Sequence, residues 1–379
     1  MKYLFVTILL FFTNLDAYAL PTIRGLRIDP SYFYYLYPDL TPKQIAQKVI
    51  DRVQEAHVNT IFLYAYNPSN GAFYPTDYPL TEIEPSFGSK NIFGEIYTRA
   101  KAEGLQVIAS ISSNDFSGAW NAKPEWRSKL KDGTDYKPMP KVSLLSAWHP
   151  EFRTWFQGFV VDLATRFPGL LAIEAVEPTV DCYWTGEPDF NPEAIKAFYK
   201  LYPKGTLGDL NWKIVRARGL TELLGLMAKT VHGLNLKAGL VQTWPAQANG
   251  SLYTFPRVRD FVGFDLNEIL NLPGAQKMDF VVGELLWQQW RAEYGTKAFT
   301  PQWTKKAATQ FLKMVGTRST GIIHVEISPW HGQHSSIEPT LNEFQESLQA
   351  IRSVAPHIDV YDFSQLENRD AWKELSVWK

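Results

Sequence analysis

Across 379 residues, 38 Lys and Arg stand against 39 Asp and Glu for a formal net charge of −1, and 45% of the chain is hydrophobic. That even balance, with both signs interspersed, excludes the basic footprint of a nucleic-acid-binding surface. A single cysteine, Cys182, excludes an intramolecular disulfide, so stability rests on a core that a chain of this length is ample to build.

The chain opens with Lys2, an apolar block over residues 3–12 and then Ala17-Tyr18-Ala19, the small-x-small pattern that signal peptidase accepts. We expect residues 1–19 to be a signal peptide and residues 20–379 to be a secreted or periplasmic single domain. The apolar block falls short of the roughly 20 residues that span a bilayer, and no later stretch reaches that length. No membrane span is expected after cleavage.

From there, apolar runs of four to eight residues alternate with amphipathic segments. Strands are expected at 23–28, 60–66, 106–111, 170–176, 237–243, 279–285, 321–327 and, more weakly patterned, 358–363. Continuous apolarity in such runs means burial on both faces, as in a parallel sheet covered by helices. Helices are expected from Thr41-Pro42, where Thr caps and Pro takes the first helical position, and then at 92–102, 149–166, 220–231, 300–315 and 337–354. The stretch "RVRDFVGFDLNEILNL" reads as a fifth helix or an additional strand, with Asn267-Glu268 favouring the helix. Strand then helix, eight times over, is the count of a single-domain (β/α)8 TIM barrel.

In that architecture the C-terminal strand ends form the active face. Those ends carry Asp29, then Glu174 and Glu177 in "LLAIEAVEP", Glu284, Glu326, and finally Asp359 and Asp362. A buried carboxylate is costly without a partner, so several together call for a chemical reason. Paired acids are the equipment of glycosidic bond cleavage, one protonated to donate to the leaving oxygen and one ionised to attack or to activate water. Alternation puts Glu174 and Glu177 on opposite faces until Pro178 ends the strand, which leaves Glu177 over the barrel mouth as the expected proton donor. Glu326, in "GIIHVEISPWHG", is the expected nucleophile or base, with Glu284, Glu174 and Asp29 as further cleft acids.

Thirteen Trp and 18 Tyr suit sugar faces. Trp184, Trp244, Trp287 and Trp330 are the expected stacking platforms; Tyr64, Tyr66, Asn67, Asn114, Gln242 and His324 are expected to orient sugar hydroxyls. This chemistry requires no cofactor. His324, His331 and His334 raise the rival of a metallohydrolase, but the first strand reads "GLRID" with no His-x-His, so no metal is expected. A polysaccharide-binding barrel without catalysis is the rival outside enzymology. No Gly-x-Ser-x-Gly is present to support a serine hydrolase, and the oligomeric state is left open.

Glu177-Pro178 after the fourth strand, with Glu326 at the seventh, resembles the clan of retaining barrel glycosidases, although Val176 stands where that clan carries Asn. A longer resemblance runs through "RIDPSYFYYLYPD", "NTIFLYAYNPSNGAFYPTDYPL", "IYTRAKAEGLQVIASIS", "LSAWHPEFRTWFQGFVVDLATRFPGLLAIEAVEP" and "MDFVVGELLW". These segments are similar to the landmarks of a glycoside-hydrolase-like barrel family that includes the hydrolase-like half of exported poly-N-acetylglucosamine-processing enzymes. That family's fourth strand reads Asp-Gly, apolar residues, then Asp; this chain has Pro168-Gly169 and then Glu174. The resemblance thus implies Glu174 as an alternative to Glu177 at the catalytic position.

Overall fold

The computed structural model describes residues 20–183, 185–295, 298–327 and 339–378. The expected signal peptide, Trp184, and the segment carrying Trp330, His331 and His334 lie outside the described residues.

Eight parallel strands close into a barrel in sequence order: β1 (Arg24–Ile28), β2 (Thr60–Tyr64), β3 (Gln106–Ser112), β4 (Ala172–Val176), β5 (Lys237–Thr243), β6 (Phe280–Glu284), β7 (Thr320–Glu326) and β8 (Ile358–Tyr361), with β8 pairing back onto β1. Each expected apolar run became one barrel strand. Helices cover the outside, and the chain forms one α/β domain.

The helices begin where local chemistry says they should. Thr41 accepts the Gln44 N–H while Gln44 reaches back to the Thr41 N–H, a complete capping box before Pro42. That helix, Pro42–Glu55, buries Ile45, Val49 and Val53. The expected 220–231 helix is longer, Leu210–Gly233, because Asp209 caps it one full arm earlier by accepting the Trp212 N–H. The ambiguous stretch forms two helices, Phe255–Val262 and Leu266–Leu270, parted by Gly263. At φ +74° Gly263 sits in the left-handed region, and a Cβ there would lie 2.6 Å from Val180, so only glycine makes this break.

The second strand is shorter than its sequence run. After Tyr64 the chain turns through Ala65, and Tyr66–Asn67 pairs instead with Gly71–Ala72 in a small hairpin. Tyr66 thereby packs its ring on Phe116 at 4.7 Å and Phe159 at 5.9 Å. Aromatic burial outside the barrel overrode β alternation there.

Inside the barrel, side chains stack in layers. The lowest is apolar, formed by Ile23, Phe62, Ile108, Ala172, Val241, Phe280, Val282 and Ile322. Gly239 makes room in it, since a Cβ there would fall 2.1 Å from the Phe280 ring. Above this floor the interior turns polar. Arg27, Tyr64, Ser110, Glu174, His324 and Asp359 fill the middle, and the strand-end acids lie above them.

Candidate active site

Alternation from the apolar floor decides which residues point inward. Arg27 follows Ile23 by four positions on β1, and Glu174 follows Ala172 by two on β4, so both face the barrel axis. Arg27 Nη1 donates to Glu174 Oε1 at 2.6 Å, Nη2 lies 3.3 Å from Oε2, and Nε donates to Asp359 Oδ2. Ser110 Oγ donates to Glu174 Oε1 at 2.6 Å, and His324 Nδ1 lies 3.1 Å from Asp359 Oδ2. The Arg27 guanidinium also rests over the Phe62 ring at 4.8 Å. Burial opposes the Arg27 charge, but Asp359 and Glu174 more than offset it and hold its pKa well above the usual value. Burial likewise works against the Asp359 charge, yet Arg27 and His324 keep this carboxyl below its ordinary range. Glu174 is therefore placed one layer beneath the mouth, with both oxygens engaged by Arg27.

The mouth itself holds Glu177, Glu284 and Glu326. Glu177 follows the last residue of β4 and takes a left-handed backbone, φ +42°, a conformation that costs a non-glycine residue on the order of 1–3 kcal/mol. Its N–H donates to Val241 O at 2.9 Å, which ties the turn to β5. Strained backbone of this kind concentrates at functional sites. Register sets Thr243 of β5 directly beside Glu284 of β6. Thr243 Oγ1 lies 2.6 Å from Glu284 Oε2 and 2.8 Å from Glu177 Oε1. Burial, followed by the charge of Glu284, pushes Glu177 up to about 7. Glu284 is pushed up by burial and pulled back by Arg27 and Thr243.

Glu326 ends β7. Burial, then Glu284, Glu177 and Asp362, push it well above the usual carboxylate range. Gln288 Nε2 donates to its Oε2 at 2.8 Å, while Oε1 has no partner among the described residues. His324, two residues earlier on the same inward face, leaves its buried Nε2 without a partner among the described residues, as do Asp359 Oδ1 and Asp362 Oδ2. Asp29 stands at the rim, accepting from Ser31 N at 2.9 Å and Asn67 Nδ2 at 3.0 Å.

Of the expected substrate-contacting residues, Tyr64, Asn67 and His324 come together at or just below the mouth. Tyr66 does not, since it faces the helix layer. Asn114 braces loops, its Nδ2 donating to Thr179 O at 2.9 Å. Gln242 shares the outward parity of Leu240, and Trp244 packs on Phe255 and Phe311 while donating Nε1 to Tyr253 O. Trp287 is buried with the Arg291 guanidinium 4.5 Å over its ring. Both Trp244 and Trp287 are buried, so neither offers an open face on which a sugar could stack in this structure. Thr243 and Arg27 are the site residues that sequence reasoning missed as such. Inward parity with Val241 was the signal for Thr243. Among the described residues, no group of three His, Cys, Asp or Glu side chains is arranged to hold a metal ion.

These pKa directions have a consequence for stability. Burial pushes Glu177, Asp362 and Asp115 each up to about 7, against about 4 for unfolded carboxyls. Carboxyls with raised folded values contribute stability that is fully present below about pH 4 and is lost as pH rises through about 7. His149 and His357, pushed down by burial, act in the opposite sense, but only as pH drops below about 6.5. The thermal midpoint should therefore fall between pH 6 and pH 8, and E177Q should flatten that slope. A scan with no pH dependence in that window would contradict the assignment.

No family model matches the chain, and no curated protein matches it in sequence. Solved structures do match in three dimensions. The β-galactosidase of the psychrophilic Marinomonas ef1 superposes over 93% of this chain and 58% of its own, with TM-score 0.64 at 12% identity. An α-L-fucosidase, isoenzyme 2 from Paenibacillus thiaminolyticus, covers 93% of this chain and 48% of its own at TM-score 0.58 and 14% identity. The fold is a (β/α)8 barrel like that within these two enzymes. A third match, the β-galactosidase of the Antarctic haloarchaeon Halorubrum lacusprofundi, has TM-score 0.61 at 11% identity over 89% of this chain and 52% of its own. This chain thus spans about half the length of these enzymes, and the shared part is the barrel. Their names differ in both sugar and anomer, so the shared fold does not select a substrate. No helix among the described residues is long and apolar enough to cross a membrane.

Proposed function

We propose that this chain is an exported glycoside hydrolase acting on a polysaccharide or oligosaccharide, with Glu177 as proton donor and Glu326 as the second carboxylate. The observation that carries the reading is the clustering of Glu177, Glu284 and Glu326 at the barrel mouth, where Glu177 is pushed up to about 7. A carboxyl in that range still carries its proton in about half the molecules at neutral pH and is strong enough to donate it. In the proposed reaction Glu177 gives its proton to the glycosidic oxygen as the bond from that oxygen to the anomeric carbon breaks. The Glu326 carboxylate meets the positive charge developing at that carbon, either bonding to it or taking a proton from the water that does.

Glu284 is too closely tied to Glu177 to face it across a sugar ring, because one hydroxyl bridges the two. That contact favours Glu326 as the partner. With a proton on Glu177, one of the charges that pushes Glu326 up is gone, and the cationic transition state further favours the ionised form. Likeness to poly-N-acetylglucosamine-processing barrels makes that polymer a first substrate to try. Export rests on the apolar block after Lys2 and the Ala17-Tyr18-Ala19 pattern.

The test is reducing-sugar release by the purified protein from a panel of polysaccharides that includes poly-N-acetylglucosamine, with β-galactosides and α-L-fucosides beside them. Release is expected, with kcat/KM falling above about pH 7 as Glu177 loses its proton. Retention on one polysaccharide with no release from any would replace this reading with the polysaccharide-binding barrel.

A further inference from the structure

Thr243 Oγ1 has two carboxyl oxygens within hydrogen-bond reach, Glu284 Oε2 at 2.6 Å and Glu177 Oε1 at 2.8 Å. A hydroxyl has a single proton and can donate to only one of them. Both contacts are hydrogen bonds at the same time only when one carboxyl carries a proton and donates it to the hydroxyl, which donates onward to the other. The asymmetry of the surroundings picks the direction. Glu284 lies within the field of Arg27 on β1, which favours its ionised form, whereas on Glu177 the pull of His324 is the smallest of the influences and the charge of Glu284 outweighs it.

We propose that Glu284 is a positioning residue that holds the proton on Glu177, through Thr243, in the state required for donation. The inference rests on the reading of Glu177 as proton donor and adds a device that the acid pair alone does not contain. The chain of contacts runs from protonated Glu177 to the Thr243 hydroxyl to ionised Glu284, and Arg27 balances the charge below. Other groups facing this chain are His324 and Glu326 on β7, Asp359 on β8, Tyr64 on β2 and Cys182 in the loop after β4. None of these touches Thr243 Oγ1, so the proton position depends on Glu284 first.

Removing either link has the same effect. In E284Q the negative charge that keeps the proton on Glu177 is gone, so Glu177 should ionise at lower pH, by about one unit or more. In T243V both acids stay, but the hydroxyl that accepts the Glu177 proton and donates onward to ionised Glu284 is lost, so Glu177 should also ionise at lower pH. T243S, which keeps the hydroxyl, should retain the original titration. A residue that merely buttressed the strand ends would shift stability without this pair of shifts.

The experiment is a carbon-13 NMR titration of the full chain labelled at Glu side-chain carboxyls, with the Glu177 resonance assigned by its absence in E177Q. Downward movement in both E284Q and T243V, with T243S unchanged from wild type, is the expected result. A Glu177 titration that is unmoved or raised in T243V overturns the inference, even if hydrolysis depends on Glu177. Conversely, downward shifts in both variants of a protein that hydrolyses nothing would keep the coupling and sink the hydrolase reading. Should E284Q fail to fold, the T243V and T243S pair still decides the outcome.

Discussion

E177Q should lower kcat on an unactivated polysaccharide by about 10²–10⁴, the range that positioned general acids supply. Glutamine keeps the size and shape of the side chain and removes only the proton to be donated. The loss should depend on the leaving group. On an aryl glycoside whose phenol leaves without help, the E177Q defect should nearly vanish, because the missing proton is no longer needed there. E326Q should behave differently and stay impaired on both substrates, since it lacks the charge that meets the anomeric carbon. Stability separates chemistry from damage. Burial pushes the carboxyls at both positions up, so replacing either by an amide removes a group whose ionisation opposes folding at pH 8. Both variants should melt at or above the wild-type temperature at that pH. An E177Q enzyme with full kcat on polysaccharide would remove Glu177 from the reaction, and the carboxyl cluster would then need another explanation.

The barrel was legible because parallel strands buried on both faces leave continuous apolar runs, and each of the eight such runs became a strand. Acids were legible for a related reason: Glu177, Glu284 and Glu326 interrupt or end those runs. Depth was not legible. Glu174 and Glu177 are three residues apart, yet one lies in the middle layer against Arg27 and the other stands at the mouth. That difference depends on where β4 stops relative to its neighbours, which is fixed by pairing with β3 and β5 and not by local sequence. The same ambiguity of face misplaced Gln242 and Trp244. Alternation along β5 turns Val241 and Thr243 inward and Gln242 outward, and Trp244 leaves the strand to pack on Phe255 and Phe311. Tyr66 failed for a different reason, because the turn at Ala65 shifted its parity. Aromatic residues at strand ends therefore serve core and cleft equally well in sequence, whereas a carboxylate cannot pass for a core residue without a partner such as Arg27.

That partner carries the largest effect expected on stability. R27M should cost about 3–5 kcal/mol, the usual penalty for removing one member of a buried ion pair, because it leaves Glu174 and Asp359 inside the barrel with no cation between them. The size of the loss should follow pH. In the wild type, Arg27 holds Asp359 below its ordinary value, so that contribution is present above about pH 4 and is lost on acidification. In R27M both carboxyls would instead titrate upward, by burial and mutual repulsion, and the variant should recover stability as pH falls and they take up protons. Urea unfolding at pH 5 and pH 8 therefore should show a larger gap between R27M and wild type at the higher pH. The triple change R27M/E174L/D359L should regain much of the loss at pH 8, because no charge is then left uncompensated in the middle layer. A triple variant as unstable as R27M would mean that the guanidinium acts by filling space over Phe62. A recovered triple variant would locate the cost in the stranded carboxylates. It would also provide a folded barrel in which Glu284 has lost the pull of Arg27, which outweighs the opposing push of Asp359 removed with it, so the Glu177 titration in that background should move toward the ordinary carboxylate value as Glu284 becomes harder to ionise.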